Sequence, residues 1–118
     1  MSIRAAIKEI PTTGPAGSAT GSAVVQARAE RLLGVQVLYA DGQPATVDVT
    51  VTSGNRTLLT LATSNTPRVV QPQVVAQDST GTDTTDHVTP VVDGPVQVTV
   101  TQADPAQRAV TVKLYLEA

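Results

Sequence analysis

Two counts decide most of the chemistry open to this chain of 118 residues: it has one histidine and no cysteine. Without cysteine there is no thiolate nucleophile, no disulfide framework and no thiolate metal site. The lone imidazole, His87, stands in Thr84-Thr85-Asp86-His87-Val88-Thr89. That run supplies an acid beside the base but no serine, so a nucleophile-base-acid triad would need distant residues to converge on it. A solvated loop histidine is the simpler reading. Zinc would need several carboxylates around His87, and no HExxH spacing exists. Asp78, Asp83 and Asp86 are close enough in sequence to offer oxygen ligands to a hard cation, but their spacing is not that of an EF-hand, and they read as a solvated acidic loop. The glycines belong to neither GxxxxGK[ST] nor GxGxxG, so no phosphate cradle is indicated. Tyr39 and Tyr115 are the only aromatic side chains on which a sugar could stack. The expectation is a protein without catalytic residues, without a metal and without a cofactor.

What these residues sit on is set by composition. The chain holds 19 Val and 18 Thr against two Tyr, no Phe and no Trp. Val and Thr are β-branched and favour a pleated surface with one buried and one wet face, which points to strands. A core of Val, Leu, Ile and Ala carries little aromatic mass, so a subunit stands to gain from burying further surface in a homo-oligomer or on a partner. The formal net charge is −2, with eight basic and ten acidic residues spread along the chain. No basic stripe matches a phosphate backbone, so nucleic acid is not an expected partner. No apolar run is long enough to cross a membrane or to form a signal-peptide core, and synthesis in a cytoplasm without Sec export is expected.

Along the chain, residues 3–10 read as a short apolar segment, possible as a strand. The run Pro11-Thr12-Thr13-Gly14-Pro15-Ala16-Gly17-Ser18-Ala19-Thr20-Gly21-Ser22 reads as a linker. Residues 1–22 are therefore expected to form an amino-terminal arm, with Ile3, Arg4, Ile7, Ile10 and Pro11 as its partner-binding residues, and residues 23–118 a single β-sandwich domain. Ala23, Val25, Ala27 and Ala29 alternate with Val24, Gln26, Arg28 and Glu30, which favours a strand over a helix. Residues 35–39 make a further strand, ended by a turn at Asp41-Gly42-Gln43-Pro44. Val47, Val49 and Val51 alternate with threonines, and Ser53-Gly54-Asn55 turns the chain into a returning strand at residues 56–61. Pro72 places residues 68–77 at an edge or a bulge, and residues 78–86 read as a surface loop. Val96, Val98 and Val100, a turn at residues 103–107, and then Val110, Val112, Leu114 and Leu116 repeat the hairpin pattern. Turn signals every eight to twelve residues predict an all-β, single β-sandwich of Greek-key or jelly-roll (Ig-like) type.

Three stretches carry a resemblance: residues 7–18, residues 56–61, and the end, residues 92–105 with 110–117. They resemble small virion structural proteins of tailed bacteriophages, and the arm followed by a compact sandwich is similar to capsid decoration, or cement, proteins. The resemblance implies a virion protein on the capsid surface that binds major capsid protein, or another virion protein, and reinforces contacts between its subunits. It also implies a homo-oligomer, with a trimer as one form. The arm would act by adding a strand to an exposed sheet edge, and repetition over many copies would supply avidity. A neck, tail or head-fibre component, or a glycan- or receptor-binding β-sandwich module, are the alternative expectations.

Overall fold

The computed structural model describes residues 2–118, and among them the chain is all-β with antiparallel pairing and no helix. Nine strands follow one another: β1 (Ile3–Thr12), β2 (Ala19–Tyr39), β3 (Asp48–Ser53), β4 (Arg56–Leu61), β5 (Arg68–Val70), β6 (Val74–Gln77), β7 (Asp83–Val88), β8 (Val91–Ala103) and β9 (Ala106–Glu117).

The architecture turns on β2, which is 21 residues long. Its first part, from Ala19 to Arg31, pairs with β8, whereas Arg31 to Tyr39 pairs with β9, and Val35 to Val37 also pairs with β5. One row of strands therefore runs β2–β8–β3–β4 and the other β1–β9–β2–β5. Irregularities in β2 between Ala27 and Glu30 and between Leu32 and Gly34 mark the change of partners. Ala29 takes a left-handed φ of 50° there. An extra residue in one strand bends it and lets it pass from one layer to the other.

The inward valines do what their alternation demands. Val49, Val51, Val96, Val98 and Val100 from one row meet Val35, Val37, Val110, Val112 and Leu114 from the other in one continuous buried cluster. These two facing layers are compatible with a β-sandwich. On the outer side, Gly34 lies opposite Tyr115, whose ring covers the space a side chain would have filled.

Several elements differ from the sequence reading. The expected carboxy-terminal hairpin is not one: β8 pairs with β2 and β3, β9 pairs with β1 and β2, and neither pairs with the other. The turn at Asp104-Pro105 carries the chain across the core, so the two alternating faces oppose each other instead of lying side by side. The loop expected over residues 78–86 gives way at Asp83 to β7, which pairs with β6 in a separate two-stranded sheet. Every residue of β7 is exposed, so no apolar alternation announced it. The stretch read as a linker, residues 11–22, narrows to a turn, since β1 continues to Thr12 and β2 begins at Ala19. The sequence boundary at residue 22 thus falls inside β2. The β3–β4 hairpin has its tight turn at Gly54, with φ 60°, and Pro72 separates β5 from β6.

Candidate functional site

The amino-terminal residues singled out by sequence lie on β1, which is paired with β9 from Ile3 to Ile10. Ile10 is fully buried and holds β1 on the core, while Ile3 and Ile7 are more than half exposed. Arg4 turns towards β2, and Pro11, with no N–H to give, stands where the β1–β9 register shifts.

The other edge of β1 faces the unpaired edge of β2 without joining it. The two strands meet at one end, where Thr13 and Thr20 exchange backbone hydrogen bonds of 3.0 Å. Gly21 makes this approach possible, because a Cβ there would collide with the Pro11 carbonyl oxygen. Below this junction a polar latch ties four segments together. Thr12 Oγ1 donates to the Asp104 carbonyl (2.7 Å), the Asp104 N–H donates to Gln43 Oε1 (3.0 Å), and the Gly17 N–H donates to the Asp104 carboxylate (2.8 Å).

At the far end the strands are spanned by side chains. Arg4 grips Glu30 with Nε to Oε2 at 2.9 Å and Nη2 to Oε1 at 2.8 Å, and Nη2 also donates to the Gln26 carbonyl at 2.8 Å. Such a two-pronged fork is the strongest geometry for this pair. The Arg4 guanidinium, followed by the Arg28 N–H, stabilises the ionised carboxylate of Glu30 and holds its pKa down to about 2 despite burial.

Between these two fastenings lies an open cleft of about 780 Å³. Lys8 and Ile7 come from β1, and Val24, Gln26 and Arg28 from β2. Ile7 and Val24 are exposed apolar side chains, and neither Lys8 nor Arg28 forms an ion pair among the described residues. The cleft thus offers two strand edges, two apolar contacts and two free cations. Arg4 and Glu30, paired with each other, also line it, and exposed strand edges of this kind carry unpaired backbone donors and acceptors.

A second surface lies at the end of the molecule where β1 begins. Ile3 pairs with Glu117, Glu117 with Arg31, and Arg31 with Val91, so four strands present one continuous row. Arg31 and Glu117 are joined by an ion pair, and Arg56 Nη2 donates to the Val91 carbonyl at 2.9 Å. Ile3 and Val91 flank this row and are each 59 % exposed.

The remaining candidates lie elsewhere. His87 is exposed on β7, opposite Val75. Asp78 accepts hydrogen bonds from Thr80 and Thr82 in the turn before β7, and Asp83 accepts one from Gln77. Among the described residues no three acidic or imidazole groups gather closely enough to hold a metal ion. Tyr115 covers Gly34, and the Tyr39 hydroxyl is buried with no partner in hydrogen-bond geometry, although Ser64 lies beside it. Sequence reasoning singled out Arg4 and Ile7 but not Lys8, Val24, Arg28 or Glu30. For Val24, Arg28 and Glu30 the only signal was the alternation of residues 23–30, which read as an ordinary strand, and Lys8 was marked only by its place in the amino-terminal segment.

Comparison of the chain with family models, with curated proteins and with solved structures returns no match.

Proposed function

We propose that this chain is a virion structural protein that binds the outside of a phage capsid and reinforces contacts between major capsid protein subunits. The observation that carries the proposal is the row at the β1 end, where Ile3 and Val91 stand exposed beside the Arg31–Glu117 ion pair on four adjoining strands. A firm platform with apolar points and a polar middle suits contact with a repeating protein surface, where many weak contacts add through avidity. The resemblance of residues 7–18, 56–61 and 92–105 with 110–117 to small virion proteins of tailed phages supports the same reading. The antiparallel strands and non-sequential strand order are compatible with the sandwich that this reading calls for, which we take to be of Greek-key or jelly-roll type. In this function β1 is the arm, seated on β9 and presenting Ile3 and Ile7 outwards while Arg4 is held on β2 by Glu30.

The test is binding of purified protein to capsids that lack it, followed by sedimentation of the particles. Wild type is expected to pellet with the capsids in proportion to capsid subunits. Ile3→Asp combined with Val91→Asp replaces two exposed side chains and is expected to fold normally and stay in the supernatant. Undiminished binding by that variant would overturn the surface assignment. A copy number matching a single ring in the reconstructed particle would move the protein to the neck or tail.

A further inference from the structure

The β6–β7 sheet is unlike the rest of the molecule. It has only two strands, it pairs with no other strand, and all of β7 is exposed. A two-stranded hairpin is at best marginally stable in water, and this one leaves Val75 and Val88 exposed, at 40 % and 45 %. It is also acidic. No Lys or Arg occurs between Arg68 and Arg108, whereas Asp78, Asp83 and Asp86 all lie on this hairpin. The cleft between β1 and β2 is its complement, with the unpaired cations of Lys8 and Arg28, the apolar Ile7 and Val24, and an open strand edge on either side.

We propose that the β6–β7 hairpin of one copy docks in the β1–β2 cleft of a second copy, joining the chains head to tail. The cleft opens at the β2 margin of the β2–β8–β3–β4 row, and the hairpin flanks Arg56 of β4 at the opposite margin. A subunit therefore presents the two surfaces on different sides, each to a different neighbour. The contact is heterologous, and repetition closes a ring if the rotation allows. In the contact, Asp83 and Asp86 face Lys8 and Arg28, and Val75 and Val88 lose water against Ile7 and Val24. This deepens the assembly reading and rests on it for its purpose, yet it is tested on the isolated protein.

The experiment is sedimentation velocity on purified full-length chains. Wild type is expected to exceed monomer mass at low salt and to fall back towards monomer at about 1 M salt, where the screening length is roughly 3 Å. Lys8→Glu with Arg28→Glu, and separately Asp83→Lys with Asp86→Lys, change only exposed side chains and are each expected to run as monomers with wild-type circular dichroism. Mixed in equal amounts they are expected to regain wild-type mass, because each then offers the other a complementary surface at both contacts. A wild type that is monomeric at low salt, variants that keep wild-type mass, or a mixture that stays monomeric would each overturn the head-to-tail contact. Capsid binding by a monomeric wild type would leave the virion reading standing without it.

Discussion

At the scale of single residues, the instructive position is Glu30. Alternation places it on the wet face with Val24, Gln26 and Arg28, yet it is 5 % exposed. The reason is Ala29: its left-handed φ inserts a bulge, the side-chain phase flips, and Glu30 points inwards while Ala29 points out. The buried carboxylate is tolerable because Arg4 reaches it from β1 with two hydrogen bonds. This has a pH consequence with a definite sign. Glu30 is depressed from 4.5 to about 2 on folding, so its contribution to stability is complete above its unfolded pKa and disappears as pH falls through the folded value. Denaturant melts of wild type and Glu30→Gln are expected to differ most at neutral pH, wild type being the more stable, and to converge between pH 4.5 and about 2. A constant gap over that window would show that the ionised carboxylate is not what Arg4 holds.

Among the elements, the long bent β2 and the shared edge beside it carry the design. Val/Thr alternation identified β8 and β9 as strands with the right inward faces, since Val96, Val98, Val100, Val110, Val112, Leu114 and Leu116 are all buried. It could not say that they face each other across the core, because a hairpin and an arch have the same period and similar turn residues. The seam between β1 and β2 has a more local requirement at Gly21, where backbone meets backbone. Gly21→Val is expected to force that junction apart at a loss of about 1–3 kcal/mol, the range for overpacking. A chemical denaturation curve measures the loss, and an unchanged midpoint would show that β1 and β2 do not approach as closely as the Thr13–Thr20 hydrogen bonds require.

For the molecule as a whole, stability is uneven by construction. The seven-stranded sheet encloses an aliphatic core, while the β6–β7 sheet touches that core through the partly buried Val74 and leaves all of β7 exposed. Segments with few apolar contacts open at low free energy. Hydrogen exchange followed by mass spectrometry is therefore expected to label residues 74–88 of the monomer well before β8 and the second half of β2. Their exchange should slow once copies associate. Protection in the monomer equal to that of β8 would mean that the hairpin is supported by its own subunit and needs no neighbour.

Strand content, the inward faces of β3, β8 and β9, and the turns at Gly42 and Gly54 were settled by the chain's local chemistry. β-Branched side chains, period-two alternation and left-handed glycines act over a few residues, and they act the same way in any tertiary context. The lack of cysteine and the single histidine likewise restricted the available chemistry before any folding was considered. Tertiary structure decided which strands became neighbours, the seating of β1 on β9, the existence of β7 and the meeting of Arg4, Lys8, Arg28 and Glu30 around one cleft. Apart from β7, whose exposed polar strand pairs with the nearby β6, those outcomes depend on contacts between residues more than twenty positions apart and on one bulge in β2, and none of these leaves a periodic trace in the sequence.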